Sequence, residues 1–163
     1  MASESDARPS PEAGGLSDAA LTDFAGTYGL PRLRAKVDTG ARSSALHVER
    51  QWRFVDAGAP WVGFVLLPRA HAGEVEAAAA IVDERLVTDS GGHRTARVFV
   101  RTRLRLAGIE REIEMNLSDR CGMRFPLLLG RTALADAFTV DPAGSFLHRR
   151  RRGHRPLPPA GDV

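Results

Sequence analysis

The stretch AKVDTGARSS, residues 35–44, decides how this chain is read. It runs from the apolar Val37 into Asp38, Thr39 and Gly40. Aspartate and glycine are common at turns, so the bland reading is the end of a strand. The chemical reading is more specific. An aspartate on a rigid strand end can activate water when a second carboxylate sits about 3 Å away, because the two then hold one proton between them. Thr39 would lock such a loop by side-chain hydrogen bonds, and Gly40 would let another backbone approach closely. A twin triplet, Asp89-Ser90-Gly91, lies 51 positions further on in LVTDSGGHR. Either triplet, both as a pair, or neither could carry chemistry.

Outward from this stretch the pattern is mostly β. LRAKV (33–37) reads as a short strand ending at Asp38, and ALHV (45–48) as another after a turn. WVGFVLLP (61–68) is apolar enough for a buried strand. RTARVFVRTRLRL (94–106) is the clearest case. Ala96, Val98, Val100, Thr102, Leu104 and Leu106 fall on one face, and Arg97, Arg101, Arg103 and Arg105 on the other. That period of two predicts a half-buried strand. A turn at Ala107–Gly108 returns the chain as EREIEMNL (110–117), with Ile113, Met115 and Leu117 inward, so the two segments form a hairpin. FPLLLG (125–130) is a short apolar strand stopped by Gly130, and RTALADAF (131–138) is the best helix candidate. EVEAAAAIVDER (74–85) suits a helix by alanine content. Its strand neighbours favour a strand instead. Many short strands and one small helix predict an all-β domain, closed or sandwiched.

The ends read differently. Residues 1–22 are rich in Ser, Pro, Gly and acids and are expected to be a disordered tail. The Pro-rich residues 149–163 are expected to be a second one, leaving a folded body at 23–148. That second tail holds five arginines against one aspartate, more than the whole net charge of +3. The rest of the chain, residues 1–148, is therefore close to neutral at −1, and no basic face for nucleic acid is expected on its folded part. With 163 residues, 43% of them hydrophobic, the chain suits one domain with a packed core. No apolar run reaches the roughly 18–20 residues that span a membrane. The N-terminus lacks the apolar stretch of a secretory signal. Cys121 is the single cysteine, so no internal disulfide forms. A cytoplasmic protein is the default expectation.

Two features join Asp38 to a family. DTGA (38–41) after a strand, with LLLGR (127–131) some 90 residues later, resembles a retroviral-type aspartic protease. In that fold an apolar-apolar-Gly segment crosses under the active-site loop, and an arginine precedes a short C-terminal helix. Leu128, Leu129, Gly130 and Arg131 fit that description. The blocks AKVDTGARSSALH, RLVTDSGGHRTARVFV and LSDRCGMRFPLLLGRTAL are more closely similar to one bacterial family. It is labelled ATP-dependent zinc protease and is also described as RimK-associated and retropepsin-like. The resemblance covers roughly residues 30–147 and implies a closed retropepsin-like barrel with one short C-terminal helix.

It also implies roles. Asp38 is the catalytic residue, Thr39, Gly40 and Ala41 form its loop, and Leu129, Gly130 and Arg131 support it. Asp89, Ser90, Gly91, Gly92 and His93 form a flap or turn. A two-lobed enzyme with one aspartate per lobe is disfavoured. The triplets are too close in sequence, since each lobe needs on the order of 100 residues to bury a core. One aspartate per chain then requires a homodimer with an Asp38 from each copy.

The zinc and ATP of the family label find no counterpart in the sequence. No H-E-x-x-H occurs among His47, His71, His93, His148 and His154, and no G-x-x-x-x-G-K-[ST] loop surrounds Lys36, the only lysine. No cofactor is therefore expected. His47 is expected to be structural or pocket-lining. By family association, ATP would belong to a partner, an ATP-grasp amino-acid ligase. The arginine face of 97–105 is expected to be a solvated strand face, with binding of an acidic peptide as the sharper alternative. The expected function is hydrolysis of peptide bonds in a peptide or protein substrate. A non-catalytic peptide-binding module on the same fold and a zinc-dependent peptidase stand as alternatives.

Overall fold

A computed structural model describes residues 12–14, 16–22, 24, 30, 32–68, 73–89, 91–119, 125–141 and 143. Within them eleven strands and one helix follow in order. The strands are β1 (Glu12–Gly14), β2 (Leu16–Leu21), β3 (Leu33–Val37), β4 (Ser44–His47), β5 (Arg50–Asp56) and β6 (Ala59–Leu66). Then come β7 (Val75–Thr88), β8 (Arg94–Leu106), β9 (Ile109–Ser118), β10 (Leu127–Leu129), α1 (Arg131–Leu134) and β11 (Thr139–Asp141).

Six strands close into a barrel in the order β2-β3-β10-β4-β9-β8, and β2 pairs back onto β8. Closure removes the free edges that an open sheet would present. Leu33, Ala35, Leu46, Val100, Leu104, Leu106, Met115, Leu117, Leu127 and Leu129 fill the interior. The topology around β10 places the site. β10 lies between β3 and β4, parallel to the first and antiparallel to the second. The loop 38–43, which joins β3 to β4, must therefore bridge the end of β10.

Alternation in β8 is as expected from Val100 to Leu106, where buried residues alternate with exposed Arg101, Arg103 and Arg105. Two residues depart from it. Ala96 is exposed and Phe99 is buried. The cause is tertiary: the first half of β8 runs past the barrel and pairs with β7 (Thr88 opposite Arg94), extending the sheet through β6 to β5. That extension is an arm projecting from the barrel, and β5 is its free edge. β5 is largely exposed on both faces, which is why its sequence carries no alternation to announce it.

The segment expected at 74–85 is the long strand β7, whose first half, with buried Ala77 and Ala79, pairs with β6 and whose second half, from Ile81, pairs with β8. Pairing with β6 along the alanine run overrides the helical preference of alanine. The helix expected over 131–138 is shorter, Arg131–Leu134. Ala135 already leaves helical geometry, and Asp136 at φ 63° turns the chain left-handed.

The expected disordered tail 1–22 is corrected in its last part. Leu16–Leu21 is β2, paired with β3 and with β8, and Ala19 and Leu21 are buried. Four of its six residues are apolar, and it gains its order by closing the barrel. Glu12–Gly14 pairs with Thr139–Asp141, bringing the two ends of the fold together. Residues 1–11 and the expected tail 149–163 lie outside the described residues. No described helix is long and apolar enough to cross a membrane.

Candidate active site

Asp38 is the first residue after β3, and its position is fixed from below. Its N–H donates to the carbonyl of Leu129 (2.9 Å), continuing the β3–β10 ladder one step past the strand. Its carboxylate oxygen Oδ1 accepts the N–H of Gly40 (3.0 Å), and its carbonyl accepts the N–H of Ala41 (3.2 Å). A Cβ on Gly40 would stand 3.1 Å from Oδ1, tighter than a comfortable contact. Thr39 and Gly40 are exposed and form the turn.

The segment after β10 clamps this loop. The Arg131 guanidinium donates from one nitrogen to the carbonyls of Thr39 (3.1 Å) and Gly40 (3.0 Å). The Arg131 N–H reaches the carbonyl of Ala41 (2.8 Å), and Thr132 bonds the carbonyl of Arg42 through both N–H and hydroxyl. Gly130 admits no side chain, since a Cβ there would fall 2.5 Å from the Ser43 carbonyl oxygen. Its N–H donates to the buried Ser44 hydroxyl (3.1 Å). Leu129, Gly130 and Arg131 thus contact the loop by backbone, by close approach and by charge respectively.

The twin triplet sits at the β7–β8 hairpin tip. Asp89 Oδ1 accepts the N–H of Gly91 (2.7 Å) and of His93 (3.1 Å). The Asp89 N–H bonds the carbonyl of His93, and the Gly92 N–H that of Asp89. Gly92 has φ +82°, a turn conformation that favours glycine. Ser90 lies outside the described residues. The tip reaches the Asp38 region, because Asp38 and Asp89 line one cavity of about 830 Å³. Ala41, Leu86, Val87, Arg97, Phe99 and Asn116 contribute to the same wall.

Charge around the cavity is arranged in two zones. Along β8 and β9, an arginine face meets a glutamate face, of which Glu114 also borders the cavity. Arg101 pairs with Glu112 and Glu114, while Arg103 and Arg105 pair with Glu110. The neighbouring guanidiniums, Arg105 first, hold the Glu110 carboxyl below its ordinary range, and Arg85 and then Arg101 do the same for Glu114. These pairs neutralise the stripe, leaving three of its four arginines already matched within the chain. Inside, Arg97 donates to the Asn116 side-chain oxygen (3.0 Å), and Arg85 stacks 4.3 Å over the Phe99 ring. Asn116 is buried and donates in turn to the Ser44 carbonyl (2.9 Å).

Sequence reading passed over Ser44, Asn116 and Thr132. A signal for Asn116 exists. The outward face of β9 reads Glu110, Glu112, Glu114 and then Asn116 and Ser118, a switch from charge to neutral polar groups where the arm covers the sheet. His47, expected as structural or pocket-lining, is absent from the cavity wall. Its Nε2 lies 3.3 Å from Glu49, and its buried Nδ1 has no hydrogen-bond partner. Among the described residues no three His, Cys, Asp or Glu side chains converge as a metal site would require. His71, Cys121, His148 and His154 lie outside the described residues.

Comparison with known proteins places this geometry in a family. A crystal structure of a Legionella pneumophila protein of unknown function superposes with a TM-score of 0.70 at 30% identity, covering 85% of this chain and 98% of that one. Two curated relatives are both named "Probable alpha-L-glutamate ligase". One, from Shewanella pealeana, is 34% identical over 120 residues, 72% of this chain and 26% of its own. The other, from Desulfotalea psychrophila, is 35% identical over 117 residues, 71% of this chain and 25% of its own. The chain therefore spans about a quarter of the length of these relatives. The model of the family described as retropepsin-like aspartic endopeptidase RimB matches residues 28–151. With that match over a closed barrel whose Asp38 loop is clamped by Gly130 and Arg131, the chain belongs to the RimB-like family of retropepsin-like proteins.

Proposed function

We propose that this protein is an aspartic peptidase assembled as a homodimer, each chain giving one Asp38 to a shared carboxylate pair. The observation that carries the reading is the braced position of Asp38 in a cavity that the 89–93 hairpin tip also borders. A water held between the two carboxylates loses a proton to the ionised one and attacks the peptide carbonyl. The protonated carboxyl stabilises the developing oxyanion, and a proton then passes to the leaving amine. Because like charges about 3 Å apart cannot both ionise, the pair titrates as a unit with one pKa raised. The hairpin tip covers the bound peptide. Asp89 shapes that tip, since its carboxylate is engaged by two backbone N–H groups.

The ligase names of the relatives support a role beside an ATP-grasp amino-acid ligase, with an acidic peptide as substrate. Asp38→Asn should abolish cleavage of such a peptide while leaving the melting transition in place, and Asp89→Asn should leave cleavage measurable. Full activity in the Asp38 variant would overturn the proposal. Peptide binding by the wild-type protein without turnover from acidic to neutral pH would favour the non-catalytic binding module instead.

A further inference from the structure

Three arginines line the Asp38 cavity, and they are not equivalent. Arg85 is committed to carboxylates of its own chain, Asp83 (2.6 Å) and Glu114 (2.9 Å). Arg42 is exposed, and no described side chain fixes it. Arg97 is half-buried and held at two points, by Thr95 Oγ1 (3.3 Å) and Asn116 Oδ1 (3.0 Å). No described carboxylate forms an ion pair with it, whereas the next three arginines of the same strand face are all paired with glutamates. Burial lowers the Arg97 pKa, partly offset by Asp119, yet a guanidinium stays charged near neutral pH. A held, partly desolvated cation in a cavity is poised for an anion. With Nε and one Nη1 hydrogen used, the fork retains N–H donors that match a carboxylate.

We propose that Arg97 is a specificity-determining residue of the Asp38 cavity, taking a carboxylate of the bound peptide, and that Asn116 is the positioning residue that aims it. This rests on reading the cavity as a peptide site. Asn116 is 2% exposed and links Arg97 to the Ser44 carbonyl, and the Ser44 hydroxyl accepts the Gly130 N–H. The chain Arg97–Asn116–Ser44–Gly130 ties the cation to the segment that braces Asp38. The carboxylate would thereby be held at a set distance from the bond above Asp38. Its source is either an Asp or Glu side chain or the peptide C-terminus.

Calorimetric titration of the full chain carrying Asp38→Asn separates the sources and does not depend on turnover. The probes are pentapeptides of α-linked glutamate and of glutamine, each with a free or an amidated C-terminus. Adding Arg97→Gln should weaken binding of the amidated glutamate peptide by about tenfold or more, with Arg97→Lys between the two. Arg42→Gln should weaken it by no more than about threefold, as an exposed charge does. Asn116→Asp, which sets a competing carboxylate on Arg97, should reproduce the Arg97→Gln loss while sparing the amidated glutamine peptide. A loss confined to peptides with a free C-terminus would make the C-terminal carboxylate the source. Equal losses for the amidated glutamate and glutamine peptides, no loss in Arg97→Gln, or no binding of any probe would overturn the assignment. Arg97-dependent binding in a protein that cleaves nothing would overturn the peptidase reading and leave the subsite standing.

Discussion

Asp38 and Asp89 begin two turns of the same local design. In each, the carboxylate accepts the N–H of a glycine two residues on, at 3.0 Å for Asp38 and 2.7 Å for Asp89. Their surroundings then diverge. The Asp38 loop is bonded to Leu129, Arg131 and Thr132, residues about 90 positions away. The Asp89 turn is closed by bonds within residues 89–93 at the end of a projecting arm. A triplet of Asp, Ser or Thr, and Gly therefore specifies a turn. What sets one copy apart is the strand that crosses beneath it.

The largest expected effect breaks the comparison at its chemistry. Asp38→Asn should lower peptide cleavage by at least about 10²–10⁴-fold, the range for loss of a positioned acid–base group. Asp89→Asn keeps an oxygen able to accept the same backbone N–H bonds and should retain most of the rate. Next comes the brace. Gly130→Ala places a methyl against the Ser43 carbonyl and should destabilise the fold by about 1–3 kcal/mol, read by denaturant unfolding. Alanine at Gly91 meets Asp89 Oδ1 at 3.2 Å, the end of a movable side chain, and should cost less. Arg131→Ala removes bonds to two carbonyls and should cost about 1–2 kcal/mol while lowering kcat more than it raises KM. Asp89→Ala frees the tip and should act chiefly on KM, with a stability loss of about 0.5–1 kcal/mol, as for a lost capping oxygen.

The smallest effect concerns the ion-paired face of β8 and β9. Folding depresses the pKa of Glu110 and Glu114, so their contribution is present above the ordinary glutamate value and fades as pH falls through the lowered folded value. The melting temperature should therefore decline below about pH 4.5, the ordinary glutamate value. A Glu110→Gln, Glu114→Gln double variant should show a shallower decline. The difference should be slight, because exposed pairs contribute little and salt screens them. An unchanged acid slope would show that the stripe adds nothing to stability.

Legibility followed local pattern. β8 and the start of β9 were readable because one face is buried and the other charged, the condition under which period two is sharp. β5 was not, because an edge strand exposed on both faces has no contrast to read. β2 looked like tail because Leu16–Leu21 directly follows a stretch rich in Ser, Pro, Gly and acids, and its partners, β3 and the far end of β8, come later in the chain. Around Asp38, the Asp-Thr-Gly loop and the Gly130-Arg131 brace were legible as motifs. Ser44, Asn116 and the pairing of Arg97 with Asn116 were not, because each depends on which groups different strands bring within bonding distance.

The sequence by itself determined an all-β chain, its long hairpin, and the two aspartate turns, since alternation and turn chemistry act over a few residues. Only the tertiary structure decided that the barrel closes through β2, that β10 passes beneath Asp38 rather than Asp89, and that Arg97, unlike the other three arginines of its face, bonds Asn116 instead of a glutamate. Those outcomes depend on contacts between residues about 20 to 90 positions apart, where pairing, close approach and charge neutralisation are settled together and no local pattern records the result.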